Sequence, residues 1–152
     1  DAKPNYGYLL MVPPGEYTYY GPMMIGPQAA LGTCMCMGSL RFQASAAIVT
    51  DLGEIVTVPA EPDRPAGAAA DKTALAVHVA IRPGATPTPL PANLPKLPVE
   101  PAIFHAAYKM QNYHGIVIDR VLPVPGVLEY RRDEVIDLAA PAKKPATVVT
   151  GG

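Results

Sequence analysis

The sequence predicts an all-β fold, a sandwich or small barrel of roughly eight short strands, and three observations carry that reading. First, 19 prolines and 13 glycines fall among 152 residues. Proline removes a backbone donor and breaks helices, so punctuation this dense excludes a helical bundle. Second, from Thr33 to Ser45 the residue types alternate. Cys34, Cys36, Gly38, Leu40, Phe42 and Ala44 fall on one face of an extended chain, and Met35, Met37, Ser39, Arg41, Gln43 and Ser45 on the other. That period of two is the pattern of a half-buried strand. Third, the remaining apolar stretches are short and separated by turn-forming residues.

Element by element, Tyr6–Val12 reads as a strand, Pro13-Pro14-Gly15 as a turn and Glu16–Tyr20 as the return strand of a hairpin. The glycines and prolines from Gly21 to Gly32 predict a loop. Thr33–Ser45 is the alternating strand, residues 46–53 carry the chain round, and Glu54–Val58 forms a further strand. Pro59–Asp71 is a small-residue loop. Leu75, Val77, Val79 and Ile81 alternate with Ala76, His78, Ala80 and Arg82, which predicts another strand. Pro83–Pro101 holds seven prolines and is expected to be extended, polyproline-like backbone. Ile103–His114 suits a helix or a short strand, and the β surroundings favour the strand. Gly115–Ile118, Gly126–Tyr130 and Glu134–Leu138 complete the set. Residues 1–138 are thus expected to form one β domain, with 83–101 as a proline-rich connection. Residues 139–152 read as a C-terminal arm.

Composition narrows function. Twelve Lys and Arg against 13 Asp and Glu give a formal net charge of -1, which argues against a nucleic-acid binder. No apolar run reaches the ~18 residues of a transmembrane helix. Peripheral membrane association stays open, and no signal peptide is visible in the sequence given. There is no phosphate-binding glycine loop, and neither Ser39 nor Ser45 lies in a nucleophile elbow. No catalytic residue and no cofactor are expected.

The sharpest candidate for chemistry is Cys34-Met35-Cys36-Met37. Soft sulfur ligands suit Cu(I) or similar ions. On a strand, however, thiols and thioethers point to opposite sides, and buried Cys and Met also serve as core. A bridge between cysteines one residue apart is expected to have poor geometry. His78, His105 and His114 lack helical zinc spacing, and His78 is expected at the surface. Asp119-Arg120 and Arg131-Arg132-Asp133 are expected to form surface ion pairs. Five of the eight tyrosines lie in the first 20 residues. Tyr6 and Tyr8 share one face and Tyr17 and Tyr19 another, as cross-strand packing or as a contact patch.

Val12-Pro-Pro-Gly-Glu-Tyr17, Gly38-Ser-Leu-Arg-Phe42, Asp51-Leu-Gly53 and Ile118-Asp-Arg with Pro123-Val-Pro-Gly-Val-Leu-Glu-Tyr130 carry a resemblance. The chain resembles uncharacterised envelope-associated, lipoprotein-like β domains of alphaproteobacteria. The resemblance implies an extracytoplasmic β-sandwich in the cell envelope, the periplasm or outside the cell.

These readings converge on a non-enzymatic structural or assembly subunit that binds protein partners or copies of itself. The expected contacts are Tyr6, Tyr8, Tyr17 and Tyr19 in the first hairpin, Pro87, Pro89 and Pro91 in the proline run, and Val148 and Val149 in the C-terminal arm. The alternative is a periplasmic soft-metal or small-ligand module using Cys34 and Cys36.

Overall fold

The computed structural model describes residues 7–59, 77–84 and 89–141. They form an all-β structure of twelve short strands in five small sheets, none closed into a barrel. Strands β1 (Gly15–Thr18), β4 (Ser39–Ala44) and β9 (His105–Ala107) make an antiparallel sheet in the order β1-β4-β9. A second sheet has β3 (Ala30–Cys34) between β2 (Met23–Ile25), antiparallel to it, and β10 (Val117–Ile118), parallel to it. Three strand pairs remain. They are β5 (Val49–Asp51) with β8 (Val99–Pro101), β6 (Glu54–Pro59) with β7 (Val77–Arg82), and β11 (Leu128–Arg131) with β12 (Glu134–Asp137).

None of these sheets has a core of its own. Met35, Leu40, Val79, Ile81, Phe104, Ala106, Val121, Val124, Leu128 and Val135 pack as one buried cluster drawn from several of them. Phe42 lies against its edge, between the rings of Tyr17 and Phe104 at 6.1 and 6.0 Å. Each fully buried aliphatic side chain stabilises the fold by roughly 1.5–3 kcal/mol.

The backbone from Val117 to Val124 joins β3, the turn before β4, β7 and β11. Val117 and Ile118 pair with β3, and Asp119 N–H donates to the Cys34 carbonyl at 2.8 Å. Val121 N–H donates to the Gly38 carbonyl at 2.9 Å, and Leu122 N–H to the Val79 carbonyl at 2.8 Å. Val124 then bridges to Leu128 at the start of β11. Tyr130 of β11 closes this seam, donating its hydroxyl to the Val121 carbonyl at 2.7 Å while the Arg120 guanidinium lies over its ring. Gly38 makes room for that ring. A Cβ built there would lie 2.6 Å from the Tyr130 ring and hydroxyl.

Three sequence expectations are corrected. The first hairpin does not form. Gly7–Val12 is not a strand, and β1 pairs with β4 instead. The cause is Pro13-Pro14. Each proline drives the residue before it out of the right-handed helical region, so the pair cannot fill both central positions of a tight turn. It stays a stem, held by the Tyr17 hydroxyl on the Pro13 carbonyl at 2.7 Å. The loop expected over residues 21–32 contains β2 and most of β3, joined through Gly26-Pro27, where Gly26 N–H donates to the Ala29 carbonyl. The continuous strand over 33–45 is broken. β3 ends at Cys34, residues 36–37 turn, and β4 starts at Ser39. Ser39, on the opposite face from Leu40 and Phe42 in the alternating pattern, is nonetheless fully buried, and its hydroxyl is satisfied by the Tyr19 carbonyl.

Other elements lie where expected. β6 matches Glu54–Val58, and β7 covers the described part of the alternating stretch at 75–82. β9 supports the strand reading of part of 103–114, β10 and β12 fall inside their expected strands, and β11 overlaps the expected Gly126–Tyr130 and runs one residue past it. The connection at 46–53 contains β5, and the proline run ends in β8. Residues 60–76 of the small-residue loop and its flank, and residues 85–88, lie outside the described residues, as does nearly all of the expected C-terminal arm.

Two predictions follow from the seam. Gly38→Ala forces the Tyr130 ring away from Val121 and is expected to cost about 1–3 kcal/mol in urea denaturation, as overpacking does. An unchanged midpoint would contradict the close approach. Burial also pushes the Tyr130 hydroxyl up to about 12, with the Arg120 charge lowering it and the Asp119 charge raising it by smaller amounts, and burial pushes Tyr19 up to about 12. Both rings ionise more readily when unfolded, with an ordinary value of 10.0. Their contribution is therefore whole below pH 10 and is lost as pH rises from 10 to 12. Urea midpoints should fall across that window, and fall less in Tyr130→Phe.

Candidate interaction surface

The most prominent surface feature is apolar. Ahead of the Pro13-Pro14 stem, the segment Gly-Tyr-Leu-Leu-Met-Val at residues 7–12 carries no charge and buries little. Tyr8 is 86% exposed, Leu10 80% and Met11 100%. Among the described residues, no backbone hydrogen bond joins Gly7–Val12 to the rest of the chain. Burying such side chains is the main favourable term in folding and association, so a segment of this composition left in water is unusual.

A second apolar area lies on the sheet β2-β3-β10. Met24 and Leu31 are register partners on one face, and both are exposed. Ile25, Val117 and Ile118 are exposed on the same small sheet. Sequence reasoning missed this area because glycine and proline density over 21–32 reads as loop. The signal present was the apolar triplet Met23-Met24-Ile25 facing Ala30-Leu31-Gly32 across a turn at Gly26-Pro27.

Open strand edges accompany these areas. Among the described residues only β3 and β4 have a strand on both sides. β6 is six residues long and, among the described residues, pairs only with β7. Its Ile55 is 44% exposed, although Ile81, directly opposite on β7, is 5% exposed and part of the core. The core layer therefore stops one strand short at β6.

The polar groups form a different picture. Arg41 of β4 reaches Glu16 of β1 at 2.7 Å and the buried Asp137 carboxylate of β12 at 4.0 Å. Asp137 also receives the Ala139 N–H at 3.1 Å and lies 3.4 Å from His105 Nδ1, which has no partner in hydrogen-bonding geometry. Because its members come from β1, β4, β9 and β12, this cluster fastens the last hairpin to the first sheet. His78 is partly exposed and faces Asp119 at 3.1 Å, while Asp133 takes Arg120 at 4.0 Å. Exposed pairs of this kind contribute little. Tyr20 holds the 112–114 turn through Asn112 and the Tyr113 N–H, with the His114 ring edge-on at 5.7 Å. His105 and His114 have separate partners.

Cys34 and Cys36, one residue apart, form a disulfide-bonded pair. The chain is not extended there. The strand ends at Cys34 and the following turn brings the two Cα atoms to 5.1 Å. Both residues are buried, and in this bonded form neither sulfur is a thiolate ligand. Among the described residues, no three His, Cys, Asp or Glu side chains are grouped as a metal site would need.

The expected contact residues are thus scattered. Tyr8 is on the free segment. Tyr17 stacks on Phe42, and Tyr19 is half-buried against the core. Pro89 and Pro91 are exposed on the proline run. Tyr6, Pro87, Val148 and Val149 lie outside the described residues. The residues that sequence reasoning did not single out are Leu10 and Met11, hidden by reading 6–12 as a paired strand. No family model, no curated protein and no solved structure matches the chain.

Proposed function

We propose that the protein is a non-catalytic structural subunit of the cell envelope that binds protein partners through its extended N-terminal segment and open strand edges. The observation that carries this reading is the uncharged segment at residues 7–12, whose Tyr8, Leu10 and Met11 stand almost wholly in water while Leu9 and Val12 are half covered. Extended segments of this kind bind by adding a strand to a sheet edge. Main-chain hydrogen bonds then give affinity, and alternate side chains give specificity. The exposed apolar sheet β2-β3-β10 widens the contact area available. The Cys34–Cys36 disulfide favours an oxidising compartment outside the cytoplasm. Among the described residues no helix is long and apolar enough to cross a membrane.

The reading is tested where the protein is made. Amine- and photo-reactive cross-linking in producing cells should capture the wild-type chain in species heavier than the monomer. Those species should disappear in the double variant Leu10→Asp with Met11→Asp. Cross-linked species that persist unchanged in the variant, or a wild-type chain recovered only as monomer, would contradict the proposal.

A further inference from the structure

We infer that the occupant of the open β6 edge is residues 7–12 of a second copy of this chain, donated reciprocally so that two chains each receive the other's segment. The inference rests on the reading proposed above and names its partner.

The receiving site is the edge of β6. A strand added there would lie over Ile55 and Thr57, which share their face with the core residues Ile81 and Val79 across the β6-β7 register. It would complete a core layer that now ends with Ile55 half in water. β4, β6 and β7 are the longest strands described, at six residues each. β4 lies between β1 and β9, and β7 pairs with β6 and bridges to Val121, so β6 is the one with an open side among the described residues.

The donated segment fits that edge in length and chemistry. Gly7–Val12 is also six residues, about 20 Å when extended, the same reach as β6. Its alternate side chains, Tyr8, Leu10 and Val12 against Leu9 and Met11, supply an apolar row whichever face turns to the core. It has no charge to set against Glu54 at the end of β6, which already pairs with Arg82 at 3.9 Å. Pro13-Pro14 then matters twice. It keeps the segment from folding back on its own β1, and as a stiff stem it projects the segment away from its own sheet.

The area is sufficient. At roughly 100–200 Å² for each large side chain, the row on one face of the segment presents on the order of 400 Å². Reciprocal donation doubles this, and the area covered on the two receiving edges carries the total past the ~1,200 Å² at which stable interfaces begin. A two-fold exchange also uses the same two patches on both copies, so the assembly closes as a dimer and does not grow into a filament.

Sedimentation velocity of the purified full chain over a concentration series tests the inference. Wild type should sediment as a dimer. The segment variant Leu10→Asp with Met11→Asp and the edge variant Ile55→Lys should each raise the dissociation constant at least ~100-fold. Circular dichroism must match wild type, and Thr57→Lys, at an exposed edge position, replaces Ile55→Lys if that chain does not fold. A wild-type monomer at all concentrations overturns the inference, as does a dimer that survives in the segment variant or in the edge variant. Binding of a monomeric wild type to phosphatidylcholine vesicles, lost in the segment variant, would overturn it in favour of a lipid surface. If the purified chain is monomeric while the cross-links in cells still depend on Leu10 and Met11, the second copy is wrong and the broader partner-binding reading survives.

Discussion

The structure depends on the run of backbone from Val117 to Val124. Among the described residues every strand is six residues or shorter, and no sheet has more than three strands. Sheets of that size cannot bury both their faces and their edges unaided. Most of them meet along one stretch that pairs with β3, takes the Gly38 carbonyl through Val121, takes the Val79 carbonyl through Leu122, and delivers Val124 to β11. Val121 is fully buried at the middle of this stretch, and its carbonyl is held by the Tyr130 hydroxyl. The glycine at position 38 is needed because the Tyr130 ring occupies the space a side chain would take. The core forms around a seam of hydrogen bonds, with the apolar side chains of neighbouring elements packed against it.

A fold joined this way leaves edges. Where a large sandwich hides its strands between neighbours, most strands here have one open side among the described residues. Open edges are templates for pairing, which natural proteins shorten, charge or cover. β1, β2, β9 and β10 follow the first course, being four residues or fewer. β6 does not, and its Ile55 continues the core face out to the edge. The same chain carries an apolar segment of matching length that its two prolines prevent from pairing locally. These features serve the proposed assembly role.

The all-β class was legible because proline and glycine density acts locally and excludes long helices wherever it occurs. β6, β7, β11 and β12 were legible because alternation survives in short sheets with one covered face. The hairpin at Pro13-Pro14-Gly15 misled because turn composition was weighed without its order. A single proline favours a turn, whereas two in succession extend the chain. Alternation across 33–45 misled because Cys34, Leu40 and Ala44 are buried on both sides of a break, and a turn of even length preserves the apparent period. The same break explains the disulfide, since only a bent chain brings Cys34 and Cys36 together. Of the residues singled out from the sequence, Tyr8, Pro89 and Pro91 are exposed. Leu10, Met11 and the β6 edge were not legible, because exposure there depends on which strands pair, a long-range outcome that residue types do not encode.

In the proposed dimer the β6 edge and the segment at 7–12 cover each other across two chains. Hydrogen–deuterium exchange of the purified protein at low and high concentration tests this most directly. The account predicts that the amides of β6 that face away from β7, and those of Gly7–Val12, become protected together as concentration rises. Free exchange of both stretches at every concentration would contradict it.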